Sequence, residues 1–245
     1  MNPIIDLLQS HQSIRQYMPD PIPEEALQAI VQSAQRASTS SNVQAYSVIA
    51  VTDKEMQRKL SEVASNQQHV AQCPLLLIWC ADLSRHRLVC DRQGVEMNAG
   101  TTENFVTATV DAALAAQNAA IAAESLGYGI VYVGGLRNNL REVTRLLNVP
   151  QLVYPLFGMC IGVPDQQPLR RPRLPVRAVL HREVYDGAGQ EEAIGEYDEA
   201  TRVYYRERTN GKRESTWSND MAEKFRRPAR IYLRDYLLEQ GFRLE

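Results

Sequence analysis

The sequence predicts a mixed α/β architecture: a central sheet of parallel and antiparallel strands flanked by helices, with one long helix buried at its centre. Three observations carry this. Short apolar runs of strand length alternate with segments whose apolar residues recur at helical spacing. One helical segment, Thr102–Leu126, is far longer than the rest, is dominated by Ala from Ala108 to Ala123, and stops at Gly127. The 245 residues, 44% of them hydrophobic, suffice for a full core, and no internal repeat or low-complexity linker divides them.

In order along the chain, Asn2 and Pro3 open a first helix, proline suiting a first turn whose amide nitrogens lack partners. Its apolar residues are Ile4, Ile5, Leu7 and Leu8, and it delivers His11–Arg15 at its end. After Pro23, Glu24 and Glu25 suit the positive N-terminus of a second helix with Leu27, Ile30, Val31 and Ala34 at 3/4 spacing. That helix runs into Ser38–Asn42. Tyr46–Val51 reads as a strand, Asp53 caps a helix with Met56, Leu60 and Val63 inward, and Leu75–Trp79 is a short strand bounded by Pro74 and Asp82. Thr102–Leu126 follows, and its few charges between Ala112 and Ala123 predict burial nearly all round, at the domain centre or in a subunit interface. Ile130–Val133 is a strand, Asn138 or Asn139 caps a helix with Val143, Leu146 and Leu147, and Val153–Val163 is a further strand. Residues 165–187, rich in Pro and Arg, read as an extended loop, while Glu191–Glu207 and Asn219–Gln240 are helical with Tyr and Leu stripes. The whole reads as one domain, 1–245, with about 165–245 a C-terminal extension.

Composition excludes several classes of function. Twenty-seven Lys and Arg against 29 Asp and Glu leave a net charge of −2, which removes the global basic field of a nucleic-acid binder and makes any anion site local. Cys73, Cys80, Cys90 and Cys160 form neither a C-x-x-C pair nor a His/Cys cluster at zinc spacing, so neither a disulfide framework nor a metal site is expected. With no signal peptide and no apolar stretch of membrane-spanning length, the expected location is the cytoplasm. There is no G-x-S-x-G or H-E-x-x-H, and His11, His69, His86 and His181 are scattered, so hydrolysis is unsupported. His86 and His181 read as structural or solvated.

Four segments combine donors or cations with turn residues: His11–Arg15, Ser38–Gln44, Gln67–His69 and Arg171–Arg173. Together they suit an anion and a hydrogen-bonding heterocycle, because phosphate takes hydroxyls and guanidinium forks while ring edges take amides. Any one alone reads better as a solvated turn or a surface ion pair. Gly134 and Gly135, between a strand and an Asn-capped helix, either let backbone approach a planar ligand or serve a turn needing positive φ. Without G-x-G-x-x-G or a P-loop, a nicotinamide cofactor is not held in the Rossmann manner.

The segments His11-Gln12-Ser13-Ile14-Arg15-Gln16-Tyr17, Ser38-Thr39-Ser40-Ser41-Asn42-Val43-Gln44, Gln67-Gln68-His69-Val70-Ala71, Ala116–Gly127, Tyr132-Val133-Gly134-Gly135-Leu136-Arg137-Asn138 and Pro172-Arg173-Leu174-Pro175 occur in this order. In them the chain, over nearly its whole length, resembles the oxygen-insensitive NADPH nitroreductase and flavin reductase family, group A of the nitroreductases. The resemblance implies an α+β fold with a long central helix, an intertwined homodimer, and FMN held non-covalently at its interface. It implies FMN contacts from His11, Ser13 and Arg15 at the phosphate and ribityl chain, from Ser40, Gln67 and His69, from Tyr132, Gly134 and Gly135 along the ring, and from Arg171 and Arg173. Arg208 and Arg230 would approach the 2′-phosphate of NADPH, with Lys212 and Arg213 as substitutes, and Ser41 would touch the acceptor. It implies two-electron, ping-pong reduction of small nitro compounds and quinones with no obligatory protein acid or base. Two other readings stand beside it: a flavin reductase delivering free reduced FMN, and a non-enzymatic flavin-binding module. The chain departs from the family's usual Lys at Arg171 and usual aromatic at Asn42.

Overall fold

Four strands, β1 (Tyr46–Val51), β2 (Leu75–Asp82), β3 (Gly129–Val133) and β4 (Val153–Gly162), form one sheet in the order β1-β2-β4-β3 in a computed structural model describing residues 2–98 and 100–245. Each neighbouring pair runs antiparallel, with Val48 opposite Trp79, Leu77 opposite Met159 and Ile130 opposite Ile161. The expected mixed sheet is therefore corrected: among the described residues, parallel pairing is a single bridge between Ser13 and Ile130. Apolar periodicity reports which residues face the core but carries no information on strand direction.

The helices are α1 (Pro3–Ser10), α2 (Glu24–Ala34), α3 (Lys54–Val63), α4 (Gln68–Gln72), α5 (Ser84–Arg92), α6 (Thr102–Ser125), α7 (Leu140–Leu147), α8 (Gln190–Arg208), α9 (Trp217–Phe225) and α10 (Leu233–Glu239). Local chemistry sets their ends. Asn2 accepts from Ile5 N at 3.0 Å, Asp53 from Met56 N at 2.7 Å, Thr101 from Asn104 N at 3.2 Å and Asn139 from Glu142 N at 3.2 Å, each side chain replacing a partner the first turn lacks. Gly127, at φ +85°, follows the end of α6 in the left-handed region where a Cβ would be strained. The helical reading of 219–240 is corrected: α9 ends at Phe225 and α10 begins at Leu233, since Pro228 removes an N–H and disfavours helix in the residue before it. The polar helix α5, absent from the sequence reading, follows a β2 three residues longer than expected; its charge-rich surface lacks a clear apolar stripe.

The chain divides into two compact units, Met1–Gln167 with Arg230–Glu245, and Pro168–Ala229. In the first, strand alternation splits the core into two layers. Leu76, Ile78, Cys80, Val131, Val133 and Cys160 face Leu60, Ala64, Leu136 and Val143 on one side. Leu75, Leu77, Trp79, Ile130, Met159 and Ile161 face Ile30 and Ala34 of α2 and the alanines of α6 on the other. All eight residues of β2 are buried, as a strand covered on both faces requires. A third cluster joins Ala108 and Ala112 of α6 to Leu152, Tyr154, Tyr236 and Phe242.

Small side chains at Ala115, Ala116, Ala119, Ala120 and Ala123 let α6 lie close to the sheet and α2. By length and composition α6 could cross a bilayer, yet this face is packed as a core helix is. Burial all round is not found within one chain: Val106, Val110 and Leu114 form a stripe that stays 45–49% exposed. The second unit contains α8, α9 and a short 3-10 turn at Val176–Ala178 in the otherwise extended stretch before α8.

Candidate functional site

Three of the segments picked from sequence converge on the ends of β3. Ile14 N donates to Ile130 O at 2.9 Å and Ser13 bridges Ile130, which lays His11–Arg15 against the start of the strand. Gly129 makes this possible, because a Cβ there would meet Ile14 Cγ1 at 2.5 Å. At the other end, Gly134 and Gly135 lie in a 3-10 turn spanning Gly134–Asn138. Neither has positive φ, so the conformational explanation for this pair falls away. The reason is proximity: a Cβ on Gly135 would stand 2.8 Å from Gln67 Nε2 and 3.1 Å from Ala64 Cβ, and one on Gly134 would stand 3.3 Å from Arg137 Nη2. Gln67 is thereby seated against the turn that ends β3.

His69, the second residue of α4, is half-buried, and burial followed by the nearby Arg15 charge holds its pKa below the ordinary 6.5. At neutral pH it is an uncharged donor and acceptor, while exposed Arg15 is the cation. His11 Nδ1 lies 2.5 Å from Glu124 Oε1 on α6. A carboxylate only accepts, so Nδ1 carries the proton and Nε2 is the nitrogen left for other partners. Tyr132, T-stacked on Phe157 at 5.2 Å, hydrogen-bonds Gln117 Oε1 at 3.3 Å, and burial together with Glu124 pushes its phenol up.

Ser40 and Ser41 stand elsewhere. Their 3-10 turn is tied by Asp111, whose Oδ1 accepts from Ser40 N at 3.1 Å and whose Oδ2 accepts from Ala45 N at 3.0 Å. Asp111 and Glu124 are thirteen residues apart on α6, about 20 Å at the helical rise. One chain thus carries the Ser40 turn and the His11 segment at well-separated points of the same helix. His86 proves structural, its Nε2 donating to Val43 O at 2.7 Å, and His181 accepts from Asp186 N at 3.3 Å.

Arg230 is not on a helix. It occupies a left-handed turn (φ +55°) before α10, and its guanidinium donates to Gly134 O at 3.1 Å and to Asn138 Oδ1 at 3.1 and 3.3 Å, bracing the glycine turn. In the second unit Arg171 donates to the Tyr205 hydroxyl at 3.1 Å, which donates to Asp220 at 2.7 Å. Arg213 pairs with Asp220 at 2.7 Å and stacks 4.0 Å from the Tyr205 ring, so it is already engaged. Arg208 is exposed and donates to the Tyr204 hydroxyl at 3.4 Å, and Arg173 is exposed. Sequence reasoning missed Asp111, Gln117 and Glu124. The signal available for Asp111 was a lone acid at the head of an alanine run, since a buried carboxylate must find donors.

A sequence model described as the nitroreductase family matches residues 8–163, and one described as the C-terminal domain of that family matches residues 171–245. The chain is 44% identical over 246 residues, 99% of each protein, to a Bacillus subtilis protein named FMN reductase (NADPH). It is 38% identical over 242 residues, 99% of each, to the oxygen-insensitive NADPH nitroreductase of Salmonella typhimurium. The solved structure of B. megaterium NfrA1 matches with a TM-score of 0.95 at 44% identity, over 98% of this chain and 99% of that one.

Proposed function

This chain belongs to the nitroreductase family, and on that premise we propose that it is an FMN-dependent oxidoreductase drawing two electrons at a time from NADPH and delivering them to small nitro compounds and quinones. The observation that carries the reading is the convergence on β3 of His11–Arg15, Gln67–His69 and Tyr132–Gly135, segments remote in sequence. The donor set fits FMN. The Arg15 guanidinium and Ser13 hydroxyl suit a phosphate, and neutral His69 adds a hydrogen bond without a second charge. The Gln67 amide, seated against Gly135, suits the polar edge of a planar ring, and Tyr132 lines the approach.

When bound, FMN supplies hydride acceptance from the nicotinamide and two-electron delivery to the acceptor. The chain's own work is holding and orienting. Glu124 fixes the His11 tautomer, Arg230 and Asn138 brace the glycine turn, and Arg171 and Arg173 contribute cations that favour negative charge in the site. Ser41 contacts the acceptor, and the exposed Arg208 guanidinium matches the 2′-phosphate that distinguishes NADPH from NADH.

The active form is a homodimer. The apolar stripe Val106–Val110–Leu114 offers a face that a second copy covers. The roughly 20 Å along α6 between the Ser40 and His11 anchors supports a site built from both copies. The protein works in the cytoplasm.

The test is the absorbance spectrum of the purified protein, followed by anaerobic NADPH and then a quinone. A flavin spectrum that bleaches and recovers supports the reductase. A colourless protein that neither takes up FMN nor oxidises NADPH refutes it. A second reading, delivery of reduced FMN to a separate acceptor, is favoured by the name of the Bacillus subtilis relative; turnover with free FMN exceeding that with quinones would select it.

A further inference from the structure

Between Thr39 and Ala45 the chain folds into a turn in which Ser41, Asn42 and Gln44 take φ of +46°, +59° and +53°, and none of them is glycine. Left-handed backbone at three such residues within four persists only where surrounding structure over-determines it, and such strain collects at functional loops. We propose that Asp111 is the positioning residue that sets this turn for the acceptor, an assignment that rests on the reading above that Ser41 meets the acceptor.

Asp111 is 1% exposed on α6, and each carboxylate oxygen takes one backbone N–H, Oδ1 from Ser40 and Oδ2 from Ala45. Those two amides bracket the strained residues, so one side chain fixes both flanks of the turn. The crest is held independently from α5, where His86 Nε2 donates to Val43 O at 2.7 Å and Arg85 Nη1 reaches Gln44 O at 3.4 Å. A carboxylate is the group this arrangement needs. It presents two acceptor oxygens and no donor, whereas an amide of the same shape offers one acceptor and turns its NH2 against the second N–H. Asp111 touches neither cofactor nor substrate; it acts through the backbone that carries the Ser41 hydroxyl.

The experiment compares the full-length parent with Asp111→Asn, each with and without Ser41→Gly, which removes the hydroxyl while suiting the left-handed backbone. Hydrogen–deuterium exchange on flavin-free protein reads the Ser40 and Ala45 amides. Anaerobic stopped flow on FMN-loaded protein reads bleaching by NADPH and recovery by 1,4-benzoquinone separately. In Asp111→Asn, exchange over 40–45 accelerates and the quinone KM rises about tenfold, the equivalent of one lost charge-assisted hydrogen bond. The NADPH bleaching rate stays put, and the Asp111→Asn effect on KM disappears in the Ser41→Gly background. A lowered Tm with an unmoved quinone KM, or the same KM change without the Ser41 hydroxyl, overturns the assignment. Should Asp111→Asn fail to fold, Asp111→Glu, which keeps two acceptor oxygens but displaces them by one methylene from the Ser40 and Ala45 amides, takes its place, and an unchanged quinone KM there overturns the assignment equally. A parent chain that NADPH does not bleach refutes the proposed function itself, whatever the variants do.

Discussion

Replacing Gly135 with alanine probes the close packing of the glycine turn beside the proposed flavin site. The new Cβ would lie 2.8 Å from Gln67 Nε2, 3.1 Å from Ala64 Cβ and 3.2 Å from Ala64 Cα. Gln67 escapes the first contact by swinging its amide away, but Ala64 is fully buried at the end of α3 and yields only tenths of an ångström. Forcing one methyl into such a site costs about 1–2 kcal/mol. At about 2–4 °C per kcal/mol for a chain of this size, Tm falls by about 2–8 °C. Displacing Gln67 also forfeits one ring-edge hydrogen bond, about 1 kcal/mol, so FMN binds about fivefold more weakly. Gly134→Ala is the comparison: its nearest neighbour is Arg137 Nη2 at 3.3 Å, farther than either neighbour of Gly135, so its Tm falls by less. Thermal melts of flavin-free protein and titration of FMN by fluorescence quenching measure the two effects separately. If Gly135→Ala keeps the parent Tm, the packing argument is wrong; if Tm falls while FMN affinity holds, Gln67 is not a flavin contact.

Three further predictions concern other parts of the molecule. Because burial and Arg15 hold the His69 pKa below 6.5, the unfolded chain binds that proton more readily; stability is unaffected above that pH and is lost as pH falls through the depressed value. His69→Gln therefore flattens the decline of Tm between about pH 7 and 5, and parallel declines would exclude His69 as its source. Leu114→Lys places a charge on the apolar stripe of α6; sedimentation equilibrium will find monomer that retains FMN poorly, and an intact dimer would move the interface elsewhere. Arg208→Ala raises the NADPH KM about tenfold and leaves that for NADH unchanged; equal changes for both donors would remove Arg208 from 2′-phosphate recognition.

Much of the fold was legible in short stretches of sequence. Asn2, Asp53 and Asn139 cap the helices they announce, and the alanine run of α6 ends beside Gly127 as its composition predicts. A cap or a stop depends on atoms within four residues, so it is written locally. The Asn219–Gln240 helix was misread because its apolar stripe continues across Pro228, and periodicity outweighed the proline. Residues of the candidate site were legible as motifs, but the groups that hold them were not. Nothing beside Ser40 announces that its amide meets an acid 71 positions away, and nothing beside His11 announces Glu124.

The sequence by itself determined most of the succession of elements, the apolar faces that most of them bury, and the motifs in which the chain resembles the nitroreductase family. Only the tertiary structure decided that the strands run antiparallel, that His11–Arg15 lies against the start of β3 while Gln67 lies against the turn at its end, that Asp111 clasps the Ser40 turn, and that Arg230 braces Gly134 across 96 positions. The physical reason is one of range. Caps, turns and apolar periodicity are satisfied by neighbours along the chain, whereas the partner of a buried carboxylate or guanidinium is whichever backbone group packing brings within hydrogen-bond distance.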